Sequence, residues 1–487
     1  MTADPRDQRI AQLEGEVAEL KGLLRTALAR IDALETKNAE LQARLNQNSN
    51  NSSKPPSSDT PGTPRSPKKP PTGRKPGGQP GHEKSGRELV PIEQVKDVVD
   101  LVPDRCGQCQ RGLAGRDKTP LRHQQVELPP LTPEVTEYRC HELSCPYCGA
   151  VTRAELPTEA ASVFGVRLSA LACALMVQYR LSKRLTQRLL ADVLHIDISL
   201  GMLPKLGAET GEALAAPTAE AERHVREQLV TNADETGWYE GKKDGRHRRA
   251  WLWTFATTAV VVFRIAFSRG GEVVKDVLGQ DFTGFLCTDR WSGYNWFDLG
   301  LRQVCWSHLT RDFQGFIDRG GVGGEIGEAL MVQRNKMFRW WHRVRDGTLS
   351  REVFARRMAP VRREVARLLR DAASRAKGKT QGMAEEMLKV EEAFWTFVDV
   401  EGVPPTNNFA ERCIRHGVMY RKTSFGTQSA SGSRFVERML TVLTSLNLQH
   451  RNVLDFLADT LRAHRTRTTP PSLLPNAQAV ARLAIAA

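Results

Sequence analysis

Residues 10–45 carry a seven-residue repeat that leaves little choice of fold. Its a positions are Ile10, Val17, Leu24, Ile31, Asn38 and Leu45, and its d positions are Leu13, Leu20, Ala27, Leu34 and Leu41. A helix gathers such positions into one narrow apolar stripe, the seam of a coiled coil. β-branched residues at a with Leu at d favour two parallel strands, and a single Asn at a fixes their register. The residues that meet across a parallel pair, Arg9–Glu14, Glu16–Lys21 and Arg30–Glu35, are opposite in sign. A helix packed on its own domain is the competing reading. Unslipped heptads favour a zipper over residues 1–45, so a homodimer or higher oligomer is expected.

The repeat gives way to Asn46-Gln47-Asn48-Ser49-Asn50-Asn51-Ser52-Ser53 and then to a basic stretch with nine prolines between Pro55 and Pro80. Neither helix nor sheet propagates through that density of proline, so residues 46–90 read as a flexible linker. Its Lys68-Lys69 and Arg74-Lys75 pairs suit a phosphate backbone, or merely solvate the linker. Composition now matters. The chain has 487 residues, 40% of them hydrophobic, and a formal charge of +14. That is enough apolar matter for sizeable cores, and the basic excess suggests a polyanionic partner. The charge is uneven, with +5 in residues 54–90, +6 in 325–395 and +6 in 404–470. Apolar runs are too short for a membrane span. The first residues lack the basic and apolar regions of a secretory signal.

Cys106-Gly-Gln-Cys109 and Cys145-Pro-Tyr-Cys148 are two knuckles separated by 35 residues. Two thiolates three positions apart can share a tetrahedral Zn²⁺, and two such turns complete its shell. A structural zinc ribbon is therefore expected over 91–158, with His123, Cys140 and His141 as substitute ligands and a redox pair as the rival reading. Residues 159–225 look helical. Leu185–Leu194, a short break and a further helix suit either a DNA-reading helix-turn-helix or a packed connector.

From residue 228 the period changes to that of strands. Gln228–Asp234 reads as a short strand ending on a carboxylate, Ala250–Phe255 and Ala259–Arg264 as two more, and Gly284–Asp289 as a fourth ending on Asp. Glu272–Leu278 reads as a helix, and Gln303–Trp306 as a fifth strand leading into a helix from His308. Three antiparallel strands, a helix and then β-α-β is the ribonuclease-H-like order. This core spans 226–324 and 403–465. Asp234 and Asp289 lie where neighbouring strand ends can converge on an ion, and Glu411 is the candidate third carboxylate. Three carboxylates suit two Mg²⁺ or Mn²⁺, which activate an attacking oxygen and stabilise a leaving one. Asn408-x-x-Glu411 is also a capping-box spacing, which would make Glu411 a helix cap. The two aspartates have a plainer reading too, as turn residues.

Asn51-Ser-Ser-Lys-Pro-Pro-Ser-Ser-Asp59, Gly77-Gly-Gln-Pro-Gly-His82, Asp234-Glu-Thr-Gly237, Thr288-Asp289, Cys305-x-x-His308 and Asn407-Asn-x-x-Glu411-Arg412 follow one another in that order. Together they resemble the Asp-Asp-Glu transposases of the insertion sequence 66 family, over essentially the whole chain to Arg421-Lys422-Thr-Ser-Phe425. The resemblance implies that Asp234, Asp289 and Glu411 form the metal-binding triad. It also implies cleavage at element ends, then attack of the freed 3′-hydroxyl on target DNA. Terminal inverted repeats, target DNA and two small companion proteins become the expected partners, and a cytoplasmic, nucleoid-associated location follows. Arg290-Trp291-Ser-Gly-Tyr294 departs from the pattern by placing bulk where smaller residues are usual. A non-catalytic DNA-binding dimer and a structure-directed nuclease are the rival functions.

The 121 residues between Asp289 and Glu411 exceed what the core needs. Residues 325–402 read as an all-helical insertion, with helices near 325–346, 350–376 and 382–398. Arg412, Arg415, Arg421 and Lys422 are candidate phosphate contacts. Cys305-x-x-His308 could be half of a metal site but reads first as packing. Residues 466–487 read as a loose tail with a short apolar helix.

Overall fold

The computed structural model describes residues 5–52 and 88–475. The 53–87 part of the linker, with its paired basic residues, and the last part of the tail lie outside the described residues.

The first helix, α1 (Pro5–Leu45), is a single rod of 41 residues. Its seam is uncovered: Leu13 is 44% exposed, Leu20 64% and Leu34 59%. After it, Asn48 and Asn51 fold the chain into a side-chain-bonded turn, and Asn51 Nδ2 donates to Asp318 at 2.7 Å. The cysteine-bearing segment holds the short antiparallel pair β1 (Glu142–Ser144) and β2 (Val151–Arg153) and an isolated bridge between Arg105 and Gly112. Four helices follow: α2 (Val166–Val177), α3 (Lys183–Leu194), α4 (Met202–Ala213) and α5 (Ala215–Arg226). Ser182 caps α3 by accepting from Leu185 N, the usual service of Ser at that position. α4 is a packed helix. Leu203, Leu206, Gly207, Thr210 and Gly211 are buried, and Gly207 and Gly211 make room for the Phe435 ring.

The central sheet contains β3 (Val230–Lys243), β4 (Arg246–Ala256), β5 (Val261–Ala266), β6 (Phe285–Thr288) and β7 (Arg302–Val304), in the order β5-β4-β3-β6-β7. The first three are antiparallel neighbours, while β6 and β7 run parallel to β3. α6 (Gly271–Leu278) makes the crossover from β5 to β6. β3 is much longer than the strand the sequence suggested. Asp234 lies within it rather than at its end, because the strand continues with β4 into a protruding hairpin beyond the parallel pairing.

α7 (Trp306–Arg319) leads to α8 (Gly321–Arg345), α9 (Arg351–Arg375), α10 (Gly378–Leu388) and α11 (Thr396–Asp399), which share a core with β6 and β7. Trp306 is its centre, edge-on to Phe313, Phe394 and Trp395. The chain then returns as α12 (Asn408–Ser424), α13 (Ala430–Leu448) and α14 (Val453–Thr466). α12 crosses the sheet with Ala410, Cys413, Ile414 and Gly417 buried. α13 covers the outer edge of β5. Ile265, Phe263 and Val261 donate their N–H groups to Glu437, Thr441 and Ser445, and Gln449, just past the helix end, donates to the Ala259 carbonyl. An edge strand otherwise offers unpaired backbone to any passing chain. Leu473 is buried against this face, so the first part of the C-terminal segment is packed rather than loose.

Candidate active site

Asn232 pairs with Cys287 at the end of the parallel β3–β6 register, and Asp234 and Asp289 each stand two residues further on. Residues two apart share a face, so the two carboxylates project side by side from strands about 5 Å apart. Asp234 is partly buried. Its acid is pushed well above the usual carboxylate range, first by burial and then by the charges of Glu235, Asp289 and Glu411. Burial disfavours the ionised form, and like charges add to the effect.

Asp289 owes its position to groups that spacing alone did not mark. Arg302, fully buried on β7, donates to the Asp289 carbonyl at 3.0 Å, to Thr288 Oγ1 at 3.1 Å and to Asn295 at 2.9 Å. Trp291 N donates to Asp289 Oδ1 at 2.8 Å, a local turn typical of Asp. The bulk at 290–294 has a visible use. Trp291 lies under the Arg269 guanidinium, 3.8 Å from its ring centre, and donates to the Arg269 carbonyl. Tyr294 donates to Glu235 at 2.7 Å, and Arg269 pairs with the same carboxylate at 2.8 Å. Glu235 is pushed up to about 7, chiefly by burial and by Asp289, against the pull of Tyr294 and Arg269. Glu235 was in plain sight beside Asp234, but its partners lie 34 and 59 residues away.

Glu411 is on the first turn of α12. The capping-box reading fails: Asn407 is the N-cap, no side chain caps the helix, and Asn408 instead accepts from Ser307. Asn407 is fully buried and donates to the Ala233 carbonyl at 2.6 Å, while its backbone N–H bonds Cys305 Sγ at 3.1 Å. One residue therefore ties the start of α12 to the strand of Asp234 and to the start of α7. Glu411 Oε1 lies 3.5 Å from His308 Nδ1 and 3.7 Å from Arg311. Burial, then Arg311, depresses the His308 acid, so the ring is neutral near pH 7. Glu411 Oε1, His308 Nδ1, Asn232 Oδ1 and Asn407 Oδ1 are buried without a hydrogen-bond partner. Unmet polar atoms clustered in one place are costly unless something charged joins them.

Arg412 and Arg415 are exposed on α12, as is Lys422 farther along, with Arg412 resting over Phe409. Arg421 faces inward and donates to the Gly237 carbonyl and to Thr236, fastening α12 to β3.

The knuckle cysteines form two separate turns. Cys106 N bonds Arg111 O and Gln110 N returns to Cys106 O; Cys145, Ala150 and Gly149 repeat the pattern. Neighbouring N–H groups lower the acids of Cys106 and Cys145. Each turn thus favours a thiolate, as a metal half-site requires. Among the described residues, the group of three donors within 4.8 Å of one another is Cys305, His308 and Glu411, so the four knuckle thiols are not drawn into one shell. No helix among the described residues is long and apolar enough to cross a membrane.

Comparison with known proteins gives two matches to family models and one to a curated relative. The model described as "Transposase IS66 family" matches residues 161–434, which includes the sheet, the helical insertion and α12. Residues 2–88 match a family of unknown function, DUF6444. An uncharacterised protein, y4qI, from Sinorhizobium fredii is 24% identical over 241 residues, 45% of this chain. The match spans 44% of that relative's own length.

Proposed function

This chain belongs to the IS66 transposase family, and we propose that it cuts and joins DNA with a two-metal site built on Asp234, Asp289 and Glu411. The observation that carries the reading is the register of β3 and β6, which sets Asp234 beside Asp289 and leaves Asp234 surrounded by negative charge. The sheet order β5-β4-β3-β6-β7 supports a ribonuclease-H-like core. The donor types suit hard cations, three carboxylates with buried amide and carboxylate oxygens left unpartnered, although the three carboxylates do not close to within 4.8 Å of one another among the described residues. Two Mg²⁺ or Mn²⁺ bound there would activate the attacking oxygen and stabilise the leaving one.

The protein's own groups do the positioning. Arg302 and Thr288 hold the backbone of Asp289, and Asn407 sets where α12 begins, hence where Glu411 stands. Arg412, Arg415 and Lys422, exposed along α12, would hold phosphates of element-end or target DNA. Arg421 is left out of that set because its donors serve the strand. α1 would pair with a second copy and hold two such sites together. The knuckles are half-sites for one structural Zn²⁺, and a Cys106→Ser/Cys109→Ser double variant should bind one Zn²⁺ fewer per chain.

The decisive experiment is metal-dependent nicking of element-end DNA. Asp289→Asn should lower the Mg²⁺-dependent rate by about 100-fold or more, since removal of even one preorganised electrostatic group commonly costs that much. Full activity in the variant would overturn the assignment.

A further inference from the structure

We propose that Cys305, His308 and Glu411 form a binding site for a zinc-class transition-metal ion, distinct in chemistry from the hard-cation site that also uses Glu411. Cys305 starts α7, and His308 lies three residues on, one helical turn away and on the same face. α12 brings Glu411 against both, so that Sγ, an imidazole nitrogen and a carboxylate oxygen lie within 4.8 Å of one another.

Two features separate this arrangement from ordinary packing. His308 Nδ1 and Glu411 Oε1 are both buried and both lack a hydrogen-bond partner. They also face each other at 3.5 Å, too far apart for a good hydrogen bond. Nitrogen and oxygen ligands each about 2.1 Å from a tetrahedral ion stand about 3.4 Å apart. The gap is therefore the width of a shared ion rather than of a shared proton. Cys305 Sγ accepts the Asn407 N–H at 3.1 Å, and the backbone N–H groups of His308 and Ser307 also point to it. Arg311, 3.7 Å from Glu411, is the competing cation.

A thiolate, an imidazole and a carboxylate form a borderline-soft donor set that favours Zn²⁺ or Co²⁺ over Mg²⁺. Three protein ligands leave a fourth position for an exchangeable group. Binding releases the Cys305 thiol proton to solvent and involves no change of oxidation state. An ion held here takes Glu411 away from the Mg²⁺ set, so zinc would oppose strand cleavage. That consequence rests on the proposed function; the site itself does not.

The test is Zn²⁺ stoichiometry and affinity of the full-length chain after removal of bound metal, with Co²⁺ absorption as a second readout. Wild type should bind one ion more than His308→Ala, Glu411→Gln and Cys305→Ser, whatever the knuckles contribute. The Co²⁺ difference spectrum should carry a sulfur-to-metal band that Cys305→Ser removes. Cys305 is buried and its replacement can disturb folding. The first two variants, at side chains 12% and 36% exposed, therefore carry the result once circular dichroism shows them folded. Wild-type stoichiometry in either of these two variants would overturn the site. Loss of nicking in Asp289→Asn speaks only to the cleavage reading, so the two can fail separately.

Discussion

Glu235 and Arg269 illustrate how a single residue beside the candidate site can hold its loop in place. The Glu235 side chain is 1% exposed, and its two oxygens are met by Arg269 and Tyr294. Replacing Arg269 with Ala would strip the carboxylate of its cation and free Trp291 from the ring stack. A buried acceptor left short of a partner costs about 1–3 kcal/mol, which urea denaturation should resolve. The loss should exceed that of Arg248→Ala, whose guanidinium covers the half-exposed Phe267. The sequence marked Asp234 and Asp289 because carboxylates closing apolar strand-like runs stand out, and Glu411 through the motif that follows them. What Glu235, Arg302 and Asn407 do escaped notice for the opposite reason. Their work is done against residues distant in sequence, and no local spacing encodes a partner 34 or 174 residues away.

Among the elements, α12 is the one whose seating decides where Glu411 stands. Gly417 lets it lie close against β4, and a Cβ there would meet Leu252, fully buried on that strand. Ala is favoured over Gly in a helix by about 1 kcal/mol. Overpacking a filled core costs about 1–3 kcal/mol, and Leu252 is fully buried. Gly417→Ala should therefore lower the melting temperature and, by lifting α12, weaken Mg²⁺-dependent nicking. The contact between α13 and β5 supplies a pH test. Burial pushes the Glu437 acid from 4.5 up to about 7 against the opposing hydrogen bond from Ile265 and the charge of Arg264. A carboxyl whose folded value is raised binds more protons in the folded than in the unfolded state between those values. Its contribution to stability is thus fully present below about 4.5 and is lost as pH rises through about 7. Glu437→Gln keeps an acceptor for Ile265 and should flatten that part of the stability profile, measured as wild type minus variant. The amphipathic helices and the buried strands were legible from period alone. This edge contact was not, because Thr441 and Ser445 look like ordinary polar helix residues.

For the whole molecule, the sheet is closed to strand addition on both sides. α13 occupies the β5 edge. Beyond β7, Thr396 donates to the Arg302 carbonyl and Phe397 N donates to Gln303. The proposed self-association would then use α1, whose apolar seam is uncovered. For the proposed zipper, deleting residues 1–45 should lower the mass seen by light scattering to that of a monomer, while an unchanged mass would count against it. The β5 seal also imposes a constraint of its own. Four residues of helix advance about 6.0 Å, whereas two residues of strand advance about 6.7 Å. Helix and strand are thus two rulers with unequal divisions, and their marks drift apart by about 0.7 Å at each step. Short Thr441 and Ser445 sit in the middle of the run and long Glu437 and Gln449 at its ends, where the drift is greatest. The arrangement works as a vernier: it has one position of best coincidence, so α13 cannot slide along β5 by a turn without losing every rung at once.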